Sequence, residues 1–562
     1  MNILIRRPSV STGSVLLTGA VCVAVWLLAC KPAFPGIPSL PDGLRLAVWI
    51  LGATYFLFLC DALASFPNGY DAVAYHLPTA VSWLQNASFR LIDLKWTAAL
   101  PANAELFALP ALALNLQGIA FLGNLLATGI LALSVYALGM RVSGSNGGAW
   151  LAVLIALSIP LVIFQTFFFN VDVFGTAFLA AALVFTFIFA ESGRESWAFL
   201  AALCCGIGMG TKHVHIPYAG LLLLTILVIA MKQKRWWLAG FLLAVSAAPV
   251  TLWIARNSLA TGNAAYPFSI EVAGVKFAGA RGFPPFEVKP NDYVSNALPV
   301  RTAAPVQETA PSPQALAIPP RKGPRITVNE DHGVGFGFEA FAAAGILAAV
   351  LETFGKKRIS LALLTLAAIG IGGFCWVFFF WTARFALPVF ALICVLCSLL
   401  YERLAAFHRA IVPALIIPVV AFASIESLAV PAHRTLNRFL YRDWSRPAYY
   451  GYPAAVDALP AGARILDRSR DENMGFVLAG ARLSFHVLHI EGPLTIESLS
   501  RNAVQYAAKD GDVDREDSLL AENGDVIYSG VPHSIFPATT PKWRIYKMRS
   551  WPAHASDRET NH

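Results

Sequence analysis

The sequence predicts a polytopic α-helical membrane protein of about 12 spans, with amphipathic helices in its outer loops and a small C-terminal α/β domain on the outer face. Three observations carry this expectation. Of 562 residues, 57% are hydrophobic and 14% charged, against about 45 to 50% and about 25% in soluble domains. The apolar residues fall in runs near the roughly 20 that cross a hydrocarbon core of about 30 Å. After Pro431 the composition becomes that of a soluble domain. A fully soluble globular protein is excluded, and so are disorder, which goes with few apolar residues, and collagen, because the 41 Gly and 35 Pro follow no fixed period.

In chain order the runs lie near residues 12 to 31, 46 to 65, 118 to 140, 148 to 165, 172 to 190, 196 to 211, 214 to 231, 236 to 254, 338 to 354, 359 to 380, 384 to 400 and 410 to 428. The two beside Lys212 are short enough to form one broken pair. Arg141, Arg194, Lys232, Lys234, Arg235, Lys356, Lys357, Arg358, Arg403 and Arg409 fill one set of short loops, whereas the alternate short loops hold only Lys212 and Arg384. The positive-inside rule makes the first set cytoplasmic. Topology therefore explains the net charge of +8 better than a nucleic-acid partner does. The same parity puts Arg6 and Arg7 outside, against the rule, so the run from Thr12 to Cys30 either does not span or is an exception. Leu27 to Cys30 makes only a poor lipobox.

The expected organisation is a membrane domain over residues 1–428 and a soluble extracytoplasmic α/β domain over residues 429–562. The membrane domain includes a first outer loop at 66–117 with interfacial helices and a long outer loop at 255–337. The Pro- and Ala-rich stretch 298–325 in that loop has no apolar period and is expected to act as a mobile tether. In the C-terminal domain Ala463 to Asp467, Leu483 to Ile490, Asp525 to Tyr528 and Trp543 to Met548 read as strands, with a helical stretch between the first two. With so much polar mass on one side of a plasma (inner) membrane, the protein is expected to work on the extracytoplasmic face. All eight Cys lie in apolar segments, so no disulfide framework or zinc site is readable, and Cys204 with Cys205 reads as helix packing.

Chemistry is expected from the few charged residues at the outer ends of spans. The first outer loop places Asp71 just before an amphipathic stretch running through Trp83 to Asn86, where its carboxylate would sit at the membrane interface. The plainer reading makes Asp71 the cap of that helix. Asp172, after Asn170, has the same two readings, and two acids converging on one cavity would outweigh either alone. Lys212, Arg256 and Arg384 lie at the same level; each must snorkel or bind an anion, and together they suit a lipid phosphate. His76, His213, His215 and His332 are also placed outside. His213 and His215 could share a metal only in a non-helical segment, so a divalent metal is the weaker reading. Gly333, Gly335 and Gly337 lack the dinucleotide-binding spacing, and no GxxxxGK[ST], GxSxG or HExxH motif occurs.

The residues resemble the GT-C superfamily of polytopic glycosyltransferases, in the branch of the protein O-mannosyltransferases and lipid A aminoarabinose transferases. The likeness rests on Tyr70-Asp71 with Tyr75-His76-Leu77-Pro78, on Asn170-Val171-Asp172, on Gly208 to Lys212, on Arg256-Asn257 with Thr261-Gly262-Asn263 and Tyr266-Pro267, and on Arg384 to Pro388. These cover residues 66 to 390 in family order. The chain departs from the pattern in carrying the single acid Asp71 at the first-loop motif, where several members have an acidic pair, and in one extra span before it. The resemblance implies inverting transfer of a sugar from a polyprenyl-phosphate donor to an acceptor on the outer face. Asp71 would be the base and Asp172 would orient it or the acceptor. Lys212, Arg256 and Arg384 would hold the donor phosphate, and Tyr75, His76, Asn170, Asn257 and Tyr266 would contact substrate. No nucleotide or metal cofactor is required. The implied partners are a polyprenyl-phosphate-linked sugar, a glycan, lipid or protein acceptor, and membrane lipids, with no nucleic acid. A polytopic transporter or lipid flippase is the alternative, disfavoured because the midplane stretches hold almost no ionisable residues and transporters need no large outer domain. A non-enzymatic scaffold is the third reading, and it expects single acid substitutions to have no effect.

Overall fold

A computed structural model describes residues 39–549 apart from 68, 92–95, 273, 280–335, 357–382, 442–444, 470–473, 491–492, 512, 533 and 535–540. The runs at 12 to 31 and 359 to 380, the stretch 298–325, and His332, Gly333 and Gly335 lie outside the described residues.

The polytopic helical class is what the structure has. Among the described residues, 7 helices are long and apolar enough to cross a membrane, and a bent pair brings the number to 8. In chain order the helices of eight or more residues up to Tyr441 are α1 (Arg45–Ala64), the outer-loop helix α2 (Leu77–Asn86), α3 (Leu122–Ser143), α4 (Asn146–Ser158), α5 (Pro160–Phe167), α6 (Asp172–Ser192), α7 (Glu195–Met209), α8 (Ile216–Lys232), α9 (Trp236–Thr261), α10 (Phe336–Lys356), α11 (Leu387–Cys397), α12 (Leu399–Phe407) and α13 (Ile411–Tyr441). The run at 148 to 165 is not one helix: α4 and α5 meet at 65°. Ile159 precedes Pro160 and is extended (φ −60°, ψ 118°), because the proline ring disfavours the helical region for its predecessor. The run at 410 to 428 belongs to a helix that continues to Tyr441 through Pro418 and Pro431.

The centre of the bundle is α6, packed against α3, α7, α8 and α11. Of its apolar window 67% is buried, against 22% for the span that contains α1. Without a hydrophobic drive between helices in lipid, close approach depends on small residues. A Cβ at Gly206 would run into Ser246 O, so its absence lets α7 lie against the backbone of α9. One end of the bundle carries ion pairs between Arg141 and Glu191 (3.5 Å), Arg235 and Glu195 (3.4 Å), and Arg403 and Glu352 (3.1 Å). This is the end that the Lys and Arg count assigns to the cytoplasm. Asp71, Asp172, Lys212, Arg256 and Arg384 all stand at the opposite end.

On that opposite end sits an α/β domain with a five-stranded sheet in the order β4-β3-β5-β7-β6. After a two-stranded hairpin in the long loop (β1 Ile270–Val272, β2 Val275–Phe277), the sheet strands are β3 (Arg464–Arg468), β4 (His486–Leu488), β5 (Tyr506–Asp510), β6 (Gly524–Gly530) and β7 (Trp543–Met548). The first three are parallel, and β7 runs antiparallel to both of its neighbours, β5 and β6. Ile465, Val477, Tyr506 and Trp543 fill one face. Leu466, Leu499, Ala507 and Leu520 fill the other, beneath α14 (Ile496–Arg501) and α15 (Arg515–Asn523). The expected strand at Leu483 to Ile490 is only the three residues of β4, and β5 was not expected: four of its five residues are buried with no alternation to reveal them.

The domain is bolted to the first outer loop. Phe476 and Ala479 join the apolar cluster of Leu77, Ala80, Val81 and Trp83. Gln85 Nε2 donates to Leu483 O (2.7 Å) and Phe485 O (2.9 Å), Gln117 Nε2 to Ala481 O (2.9 Å), and Tyr450 Oη to Pro67 O (2.5 Å). Buried Arg446 donates to Val477 O (2.8 Å) and Phe476 O (2.7 Å), fixing the segment that enters the sheet.

Candidate active site

After α1 the chain turns back at Gly69, whose φ of +105° lies where a side chain would be strained. Helix then begins at Tyr70, and a single π-helical turn spans Ala72–His76 before α2. Such turns insert an extra residue and re-aim the side chains around them, often at functional sites. Asp71 has helical dihedrals (φ −58°, ψ −38°) and makes no capping bond, so it is not a cap. Its Oδ2 instead accepts from Tyr75 Oη (2.6 Å) and meets Arg384 Nη1 (2.9 Å) and Lys212 Nζ (3.5 Å).

Asp172 is not a cap either. It is the first residue of α6, follows the cap residue Val171, and makes no side-chain capping bond. Lys212 Nζ stands 3.1 Å from its Oδ1 and Arg384 Nε 3.9 Å from its Oδ2. Gln165 orients it: Gln165 Nε2 donates to Asp172 Oδ2 (3.3 Å) while Gln165 Oε1 accepts from Val173 N (2.9 Å). Two carboxylates thus share two cations in a buried cluster with no net charge, and Asp71 and Asp172 are 5% and 0% exposed.

Irregular turns place the two cations. Between α7 and α8, Lys212 is extended (φ −160°, ψ 145°). Asn103 holds this break, because its backbone N donates to Gly210 O (2.8 Å) and its Nδ2 to Ile207 O (3.1 Å), while its Oδ1 accepts from Trp253 Nε1 (2.8 Å). Arg384 lies in the turn before α11, and both cations stand over the Phe385 ring, at 5.1 Å and 5.4 Å from its centre.

Burial alone would raise the Asp71 carboxyl, but Arg384, Lys212, His76 and the Tyr75 hydroxyl outweigh it and hold it well below the ordinary carboxylate range. Burial and the Asp71 charge push the Tyr75 hydroxyl well above its usual value. A depressed carboxylate contributes stability that is fully present above its unfolded pKa, about 4, and lost as pH falls through the folded value. The difference in melting midpoint between wild type and Asp71→Asn is therefore expected to stay constant from pH 8 to about pH 4, and to change only below it.

The remaining candidates fall elsewhere. Arg256 does not join the acids: Nη2 donates to Leu100 O (3.2 Å), Nε to Asn257 Oδ1 (3.2 Å), and the guanidinium lies over Trp253 at 4.9 Å. Asn257 Nδ2 donates to Ala99 O (2.8 Å) and Tyr266 O (2.9 Å), so Arg256, Asn257 and Tyr266 staple two outer loops together. Arg256→Ala is expected to lower stability by about 1 to 3 kcal/mol, the cost of leaving buried polar groups unpaired, while lipid-phosphate affinity per folded molecule stays unchanged. Thermal melts and binding titrations check both halves. Asn170 is buried beside Gly69, and its backbone oxygen accepts from Asn124 Nδ2 (2.7 Å). His76 Nδ1 pairs with the buried Glu105 Oε1 (2.5 Å), and its ring lies 4.2 Å from that of Tyr75. His213–His215 form a 3-10 turn, with the His215 ring against Gly175. Among the described residues, no group of three or more His, Cys, Asp or Glu is placed to hold a metal.

Sequence reasoning missed Asn103, Glu105 and Gln165. Glu105 alone carried a signal, being an acid amid the apolar residues of the first outer loop.

The fold and the site define a class: a polytopic membrane protein with an acid and cation cluster beneath a docked α/β domain. The family model of dolichyl-phosphate-mannose-protein mannosyltransferase matches residues 108–253. The chain is similar to the crystal structures of ArnT from Cupriavidus metallidurans, in the apo state at 13% identity and bound to undecaprenyl phosphate at 12%. Each comparison covers 90% of this chain and 98% of ArnT with a TM-score of 0.52. The arabinosyltransferase EmbB from Mycobacterium smegmatis is further away, at 14% identity over 75% of this chain and 41% of EmbB, with a TM-score of 0.37. No curated protein sequence matches the chain. The chain has the fold of the ArnT structures, the GT-C-like fold that the motifs implied.

Proposed function

We propose that the chain is an inverting glycosyltransferase that moves a hexosyl or pentosyl group from a polyprenyl-phosphate donor to an acceptor hydroxyl on the extracytoplasmic face of the membrane. The observation that carries this reading is the position of Asp71, paired at once with Arg384 and Lys212 at the mouth of the bundle. A lipid phosphate supplies the anion these cations would otherwise share with the two acids, and charge-assisted bonds from Arg and Lys suit it. The undecaprenyl phosphate in the similar ArnT crystal structure supports a lipid phosphate as the ligand.

When the phosphate takes up Lys212 and Arg384, Asp71 loses cation contacts and its proton affinity rises toward that of a useful base. The acceptor hydroxyl gives its proton to Asp71 as its oxygen attacks the anomeric carbon from the side opposite the phosphate. The new C–O bond forms as the bond to the phosphate oxygen breaks, and the electron pair leaves on the lipid phosphate, where the fixed cations stabilise it. Configuration at the anomeric carbon inverts. Asp172, held by Gln165, keeps Lys212 in place. The fixed cations stabilise the leaving phosphate without a nucleotide, and the step does not require a metal.

The test is incubation of purified protein with candidate polyprenyl-phosphate sugars and acceptors. Disappearance of one lipid-linked sugar with appearance of a glycosylated acceptor is expected. Movement of an intact lipid across a vesicle membrane without bond cleavage would instead favour the flippase reading.

A further inference from the structure

A cavity of about 100 Å³ lies between α2 and the α/β domain. Ala74, Pro78, Ser82 and Gln85 line it at helical spacing along one face of the outer-loop segment, and it runs beside β3 and β4 from Arg464 to Asp467. Tyr75 is part of the wall, and its hydroxyl is the one that donates to Asp71. Lys212, Arg384 and Asp172 are not part of the lining. Asp71 does not line it either, so Tyr75 is the lining residue that links the cavity to the proposed base.

The lining chemistry narrows the occupant. Thr79, Ser82, Asn86 and Arg464 alternate with Pro78 and Val487, which offers hydrogen bonds to hydroxyls and apolar surface to ring C–H groups. Thr97 also lines the cavity, and its Oγ1 is buried without a hydrogen-bond partner among the described residues, an arrangement that normally calls for a ligand or water. At about 10 to 15 Å³ of such cavity volume for each water, it has room for several waters. That suits one ring-sized group more than a length of polypeptide. The site lies between the outer loop and the soluble domain, so it takes a head group and not an acyl chain.

We propose that this cavity is the acceptor subsite and that the acceptor is a carbohydrate, its terminal ring seated between α2 and β4 with one hydroxyl directed past Tyr75 to Asp71. The inference rests on the glycosyltransferase reading for its chemistry, but not for the binding of a sugar ring. Asn86→Trp fills the cavity without touching Asp71 or the cations. With disaccharide probes ending in glucose, galactose, mannose or glucosamine, the variant is expected to raise acceptor KM at least tenfold while donor KM stays within twofold. Hydrogen exchange on the wild-type protein supplies a second reading that requires no donor and no variant. The probe that serves as acceptor should protect amides in 77–86 and 486–488. An unchanged acceptor KM in a folded Asn86→Trp protein, a Ser/Thr peptide used in preference to every disaccharide, or absent protection in both segments would overturn the assignment. Protection without any turnover would uphold the sugar subsite and count against the glycosyltransferase reading instead.

Discussion

Asp71→Asn is expected to give a folded protein that binds the lipid phosphate and transfers sugar at least about a hundredfold more slowly, the range for loss of a general base. Asn has the size of Asp and can still accept from Tyr75, but it cannot take a proton. The substitution leaves the cluster with two cations against one carboxylate, so phosphate binding should be maintained or tightened while turnover falls. Asp172→Asn run beside it is expected to cost less, because Asp172 is held by Gln165 and acts through Lys212. Binding titrations with undecaprenyl phosphate and single-turnover rates separate the two effects. An unaffected rate in Asp71→Asn would remove the base from this position, and a loss confined to Asp172→Asn would move it there.

Arg384→Gln is expected to have the second-largest effect, and to act on both stability and donor binding. With Arg384 gone, two buried carboxylates share Lys212 alone, and removing one partner of a buried ion cluster costs about 3 to 5 kcal/mol. The donor phosphate also loses a charge-assisted bond, a loss of about 1.5 to 3 kcal/mol. The two costs can be separated. Adding Asp71→Asn to Arg384→Gln restores the charge balance, so the double variant should recover much of the lost melting midpoint while donor affinity and transfer stay low. Additive losses in the melts would show that the two residues are not energetically coupled.

The spans were legible because hydropathy over about 20 residues is a strong signal. The four charged residues of the cluster were legible for the converse reason, that an ionisable group beside an apolar run is costly and needs an explanation. Sequence could not decide which of three cations meets the acids. Arg256 has the same setting as Arg384, and only tertiary packing turns it toward Leu100 O and Trp253. Nor could it distinguish a cap from a first-turn acid at Asp172, since the two differ by one residue in where the helix starts. Asn103 and Gln165 were silent because an uncharged amide in a loop or an apolar helix has many ordinary roles. The bend at Ile159 was written in Pro160, but the apolar run continued across it and read as one span.

The central claim is inverting transfer from a lipid phosphate, and the anomeric configuration of the product tests it most directly. Wild-type protein would be given a polyprenyl-phosphate sugar of one known anomer, and the glycosylated acceptor examined by NMR. The account predicts a single product whose anomeric configuration is opposite to that of the donor, formed with release of one lipid phosphate per sugar transferred. A product that retains the donor configuration would contradict it, because retention requires a second displacement for which Asp71 acting as base provides no step.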